Sequence, residues 1–191
     1  MSDPNRAEQV TSTTYTWRRL DLEGLVFVRL DDGAGRVSVE GYEICIGGDE
    51  RWAARFAIEL DAGWRHERTT VDVLEASGTR RLELESDGVG SWLKDGRPDP
   101  FLEGCTDLDL AGNPFTNAFV TRRVAPDVGG EVEVLAAYVE TPSLLVRPLA
   151  QRYRRPAADR WVYADDLYGS FEFGTDADGV AVDYEGLAER R

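Results

Sequence analysis

Two carboxylates set two residues apart are the strongest chemical feature of this sequence. Within Cys105-Thr106-Asp107-Leu108-Asp109-Leu110, a strand carries Cys105, Asp107 and Asp109 on one face, with Leu108 and Leu110 on the other. Alternate residues on a strand face lie about 6–7 Å apart. That overlaps the roughly 6.5–9.5 Å between the carboxyls of inverting glycosidases. Those enzymes, however, set their carboxyls on opposite sides of the scissile bond, and two from one strand point the same way. Three uses stand side by side: pairing with a nearby cation, contact with a ligand's hydroxyls, and acid–base catalysis on a sugar or ester.

The cations come just downstream. Asn113-Pro114 reads as an N-cap with proline at the first helical position, so a short helix is expected over about 113–122. Phe115 and Phe119, four apart, share one face of it. Arg122 and Arg123 sit near its end, where the helix dipole favours them and from where they could neutralise Asp107 and Asp109.

Other chemistries are poorly supplied. Cys105 as a nucleophile needs a base, and His66 is the single histidine, in a polar run where an exposed ring is the default. A buried apolar role suits the cysteine better. There is no Cys-x-x-Cys pair, no set of histidines for a metal, and no Gly-x-Ser-x-Gly elbow around Ser91. Asp176-Ala177-Asp178-Gly179 with Glu185 imitates part of a calcium loop, but its first position falls on Gly174 and its flanks read as strands. It reads as a hairpin turn. No metal and no cofactor are expected.

The elements that must position these residues are strands. Trp52, Ala54, Phe56, Ile58 and Leu60 alternate with Arg51, Arg55 and Glu59. Similar runs occur at 15–17, 24–30, 64–74, 82–84, 132–138, 144–146, 161–163, 167–173 and 180–184. Asp-Gly, a strong hairpin signal, occurs at 32–33, 87–88, 95–96 and 178–179. In the strand at 36–46 the apolar parity flips at Glu40-Gly41, which predicts a β-bulge. Pro148 suggests an edge or bulge. Residues 1–13 read as a disordered tail, Asp95 to Glu103 as a loop between two halves of the sheet, and 14–191 as one domain. Strand signals at intervals of about ten residues mean an all-β roll, barrel or sandwich.

The 191 residues are enough to bury a core. A formal net charge of −14 argues against a nucleic-acid backbone or an anionic membrane surface as partner. The first fourteen residues have neither a basic start nor an apolar run, and no stretch approaches a membrane span, so a cytoplasmic location with reduced Cys45 and Cys105 is expected. Five Trp, seven Tyr and seven Phe suit an apolar pocket lined by residues such as Trp52, Phe56, Phe115 and Phe119. Ordinary core packing between sheet and helix accounts for them equally well.

A resemblance sharpens the picture. Gly104-Cys105, Asp107-Leu108-Asp109-Leu110, Pro114-Phe115-Thr116-Asn117 and Arg122-Arg123 resemble the central signature of the putative glycolipid-binding family of prokaryotic proteins. The likeness extends from Trp17-Arg18-Arg19-Leu20-Asp21 to Asp176-Ala177-Asp178-Gly179-Val180 and Tyr184-Glu185-Gly186-Leu187. Where the family pattern often places a proline shortly after Thr-Asn, this chain reads Ala118-Phe119-Val120. The resemblance implies a long antiparallel sheet spiralling as a β-roll around a single helix, with no catalytic residues to carry over. The expectation is a non-enzymatic binder of an amphiphile. Its apolar part would lie between sheet and helix, and Asp107, Asp109, Asn117 and Arg122 or Arg123 would meet its head. The alternatives are a hydrolase using Asp107 or Asp109, and a ligand-free module that dimerises along an exposed sheet edge.

Overall fold

The computed structural model describes residues 10–47 and 51–191. Eight strands lead away from the middle of one sheet: β1 (Thr11–Arg19), β2 (Gly24–Gly33), β3 (Arg36–Cys45), β4 (Trp52–Asp61), β5 (His66–Glu75), β6 (Gly78–Ser86), β7 (Trp92–Lys94) and β8 (Arg97–Pro98). The chain then crosses to the opposite edge. It returns through β9 (Asp107–Leu110), β10 (Glu131–Val139), β11 (Val146–Ala157), β12 (Arg160–Asp165), β13 (Gly169–Thr175), β14 (Ala181–Tyr184) and β15 (Ala188–Arg190). The sheet has 15 strands, and β15 pairs antiparallel with β1, Trp17 opposite Arg190, joining the outward and returning halves. Among the described residues only β9 and β10 pair in parallel, and their connection carries the helix α1 (Asn117–Arg123). This is the mainly β, helix-centred roll that the strand rhythm and the resemblance predict.

The sheet does not close into a barrel. Beside its edges, Gly104 N donates to Gly90 O at 2.8 Å and Trp92 Nε1 to Cys105 O at 2.8 Å. These bonds tie the two halves without adding a strand pair. Inside the curve, Phe115 and Phe119 meet edge to face at 5.9 Å, and Phe115 lies 5.8 Å from Tyr15 and 6.4 Å from Trp17. Phe119 reaches Trp64 at 6.4 Å. The inward residues of β1–β6 complete this core. A second cluster, with Tyr153, Trp161, Tyr163, Phe173 and Tyr184, belongs to the returning half.

Several local expectations are corrected. The α-helix begins at Asn117, four residues after the expected cap. Asn113 does cap, its Oδ1 accepting from Phe115 N at 3.0 Å, but it caps a tight turn in which Thr116 N reaches back to Asn113 O at 3.3 Å. Strand β1 begins at Thr11, inside the stretch read as a tail, and positions 1–9 of that stretch lie outside the described residues. Asp95 to Glu103 is not a plain loop. Asp95-Gly96 turns β7 into β8, with φ of 50° and 74°, and a 3-10 turn follows at Pro100–Leu102. His66 is buried, stacked on Trp92 at 4.6 Å, with Nε2 2.7 Å from Thr69 Oγ1. Burial pushes its pKa down to about 3, so the ring is neutral. Pro148 sits opposite Ala137 beyond the reach of β12, whose pairing starts at Gln151, so it costs no ladder bond there.

There is no bulge at Glu40-Gly41. Strand β3 alternates evenly and keeps unbroken register with β2 and β4. What flips is chemistry: Val37 and Val39 point inward, then Glu43 does, while Tyr42 and Ile44 face out. Gly41 takes the inward position between them because a Cβ there would lie 2.3 Å from the Phe56 ring and 2.6 Å from Phe27 O. Gly41→Ala is therefore expected to destabilise the fold by about 1–3 kcal/mol in urea unfolding, as overpacking does. An unchanged midpoint would mean the strand bends away from Phe56 after all.

Candidate functional site

A cleft of about 430 Å³ opens where the returning half of the roll meets the β1–β2 turn. Its floor is the end of β9, the turn before α1 and the first residue of α1, contributing Asp109, Asn113 and Asn117. Its walls are aromatic: Tyr138 from β10, Tyr163 from β12, Phe171 from β13, Tyr184 from β14, and Tyr168 from the β12–β13 turn. Sheet register brings them together, since Tyr138 pairs with Asp109 and Tyr163 with Phe171, while Phe171 and Tyr184 approach at 6.4 Å. Leu22 and Trp52 close the far side.

The two aspartates stand in different surroundings. Asp107 is buried and ion-paired to Arg123, and its Oδ2 also accepts from Thr106 Oγ1 at 2.8 Å. It does not line the cleft. Asp109 does, and among the described residues no cation pairs with it. Thr116 Oγ1 donates to its Oδ1 at 2.7 Å and Gln151 Nε2 to its Oδ2 at 2.6 Å. Tyr153 OH lies 3.1 Å from both Gln151 Oε1 and Asn117 Oδ1, donating its one proton between them. Burial pushes the Asp109 carboxyl up to about 6, against these two donors and with Asp165 and Asp107 adding to the rise. Burial likewise raises the phenols of Tyr138, Tyr163 and Tyr184, which stay protonated.

The remaining predicted residues separate. Asn117 and Trp52 line the cleft with Asp109. Phe56, Phe115 and Phe119 fill the core beneath it. Arg122 turns away from both aspartates: its guanidinium lies 4.0 Å over the Trp64 ring and 3.6 Å from Asp32. Asn113, read only as a cap, also lines the cleft, and its buried Nδ2 finds no acceptor among the described residues. Sequence reasoning missed the tyrosine walls and Arg19 at the entrance. Their signal was the aromatic excess, which says nothing about which rings converge.

Arg19 is itself buried, ion-paired to Glu43 and Asp21. It passes so close to Gly112 that a Cβ there would meet the guanidinium at 2.3 Å, and Gly112 has φ of +71°. Burial pushes Glu43 up to about 7 even beside Arg19. Among the described residues no cluster of His, Cys, Asp and Glu suits a metal ion. Nor is any helix among them long and apolar enough to cross a membrane. Burial also raises the Cys105 thiol to about 11, which makes it a poor nucleophile.

This arrangement lies within a region known from other proteins. The model of the family described as putative glycolipid-binding matches residues 14–190. The chain belongs to that family. Among solved structures, the crystal structure of a DUF1089 family protein from Pseudomonas aeruginosa superposes with a TM-score of 0.77 at 28% identity, covering 87% of this chain and 92% of that one. No curated protein matches.

Two outcomes are expected for this member of the family. The Asp109 pKa is higher folded than unfolded, so its stabilising contribution is complete below about pH 4 and lost as pH rises through about 6. The full effect is roughly 3 kcal/mol at the usual conversion. Urea unfolding at pH 4, 5.5 and 7 should show Asp109→Asn losing less stability with rising pH than the parent. Arg123→Met leaves the buried Asp107 unpaired and should cost about 3–5 kcal/mol, largely restored by adding Asp107→Asn.

Proposed function

We propose that this protein is a non-enzymatic binder of an amphiphile whose hydroxyl-bearing head, such as a sugar, occupies the tyrosine-walled cleft. The observation that carries the reading is the combination on the cleft floor: Asp109, held by neutral donors, beside Asn113 and Asn117, beneath aromatic walls. Few polar groups at fixed positions in a largely apolar concavity is how ligand pockets orient their contents, and the volume falls within the common range of about 300–1,000 Å³. Flat aromatic faces cover the apolar faces of a sugar ring, while the amides and the carboxyl meet its hydroxyls. The family's description points the same way.

In this reading Asp109, Asn117, Asn113 and Trp52 touch the ligand. Asp107 and Arg123 hold α1 against β9, while Phe56, Phe115 and Phe119 support the floor from the core. Arg122 belongs with Trp64 and takes no part. A hydrolytic role for the Asp107–Asp109 pair finds no support, because of the two only Asp109 reaches the cleft, and the other carboxyls that line it are engaged, Asp21 by Arg19 and Glu185 by the Glu172 backbone N–H.

Native mass spectrometry of the purified protein, before and after incubation with a total lipid extract, tests the reading. A one-to-one adduct is expected, with a glycolipid recovered by organic extraction. Asp109→Asn should weaken binding about five- to tenfold, the worth of one hydrogen bond, and should remove a pH dependence centred near 6. A clean apo mass under both conditions would overturn it.

A further inference from the structure

The cleft does not end at its polar entrance. A second concavity of about 550 Å³ runs over the rim between the β1–β2 turn and the end of β3, and Arg19 and Leu22 line both spaces. Its surface is mainly apolar, with Arg18 and Glu23 at its margin: Leu20, Leu25, Ile44 and Ile46 are 45%, 49%, 42% and 55% exposed. Leu25 and Ile44 are direct cross-strand partners on the outer face, and Phe27 and Tyr42 form the next exposed pair along.

This shelf results from the polarity inversion in β3. Where the inward position becomes Glu43, buried against Arg19, the apolar residues move to the outside. The protein thus places a buried ion pair beneath the sheet and a contiguous apolar surface above it, at the one end where the cleft opens. Contiguous apolar surface facing water is unfavourable unless something covers it. The shelf adjoins the cleft, sharing Arg19 and Leu22 with it, and that adjacency indicates what does.

We infer that this shelf is the tail subsite of the same ligand: an alkyl or acyl chain leaves the cleft past Leu22 and lies over Leu20, Leu25, Ile44 and Ile46. The inference rests on the head-group reading of the cleft. It makes the ligand single-headed and chain-bearing, with its tail on the outer face of the sheet and not between sheet and helix, where the Phe115 and Phe119 rings already fill the core.

Calorimetry with a series of one head and growing chain, methyl, octyl and dodecyl β-maltoside, each below its micelle concentration, tests this. Affinity is expected to rise roughly tenfold or more from the methyl to the octyl compound, from burial of methylenes. The outward double variant Leu25→Ser/Ile44→Ser should abolish that rise while binding methyl maltoside as the parent does, which also reports that the variant is folded. If the rise survives in the double variant, the tail lies elsewhere and the inference falls while the head-group reading stands. If no member of the series binds the parent, both fall. Light scattering supplies the remaining outcome: a parent dimer that the double variant converts to monomer would mean a second copy covers the shelf, overturning the tail site.

Discussion

The inner face of an open 15-stranded sheet must be taken out of water, and here a seven-residue helix with its leading turn does so. So short a helix is not stable alone and depends on tertiary contacts. Two kinds hold it. Phe115 and Phe119 insert among Tyr15, Trp17 and Trp64, and Thr116, Asn117 and Arg123 reach polar partners on β9 and β11. The apolar contacts supply most of the free energy. The polar ones fix the rotation of the helix, because a buried hydrogen-bonding group left unmatched costs about 1–3 kcal/mol.

The same polar contacts create the cleft. Asp109 is held by neutral donors at the junction of β9, the leading turn and β11, where the helix ends its cover and the tyrosine walls begin. A carboxyl kept near neutrality can both donate and accept near pH 6, which suits contact with hydroxyls, which do both. Asp107, two residues earlier, is held by Arg123 and Thr106 and serves position instead. Position in the fold has divided the roles of two chemically identical neighbours.

Much of the architecture was legible in the sequence. Alternation over 52–60 and the repeated Asp-Gly turns specify antiparallel strands because side chains on a pleated strand alternate faces regardless of what surrounds them. The end of the helix at Arg122 and Arg123 follows from helix-dipole chemistry, whereas Phe115 meets Phe119 from the turn that leads into α1. The errors came where a distant partner changed what a residue type implies. Glu43 looked like an outward residue and forced a supposed bulge, but Arg19, from two strands away, lets it point inward. His66 looked exposed in a polar run, but Trp92 and Thr69 bury it as a neutral ring.

The sequence by itself determined the strand-by-strand meander, a helix ending at Arg122 and Arg123, and the candidates for its polar partners. These follow from local periodicity and turn chemistry. Only the tertiary structure decided that Asp107 takes Arg123 while Asp109 takes Thr116 and Gln151. It alone decided that Arg122 leaves for Trp64, and that five aromatic side chains from β10 to β14 surround one space. The reason is physical. Which polar groups meet depends on how far the sheet coils before its halves join at β1 and β15, and that curvature is a property of the whole sheet, written in no single segment.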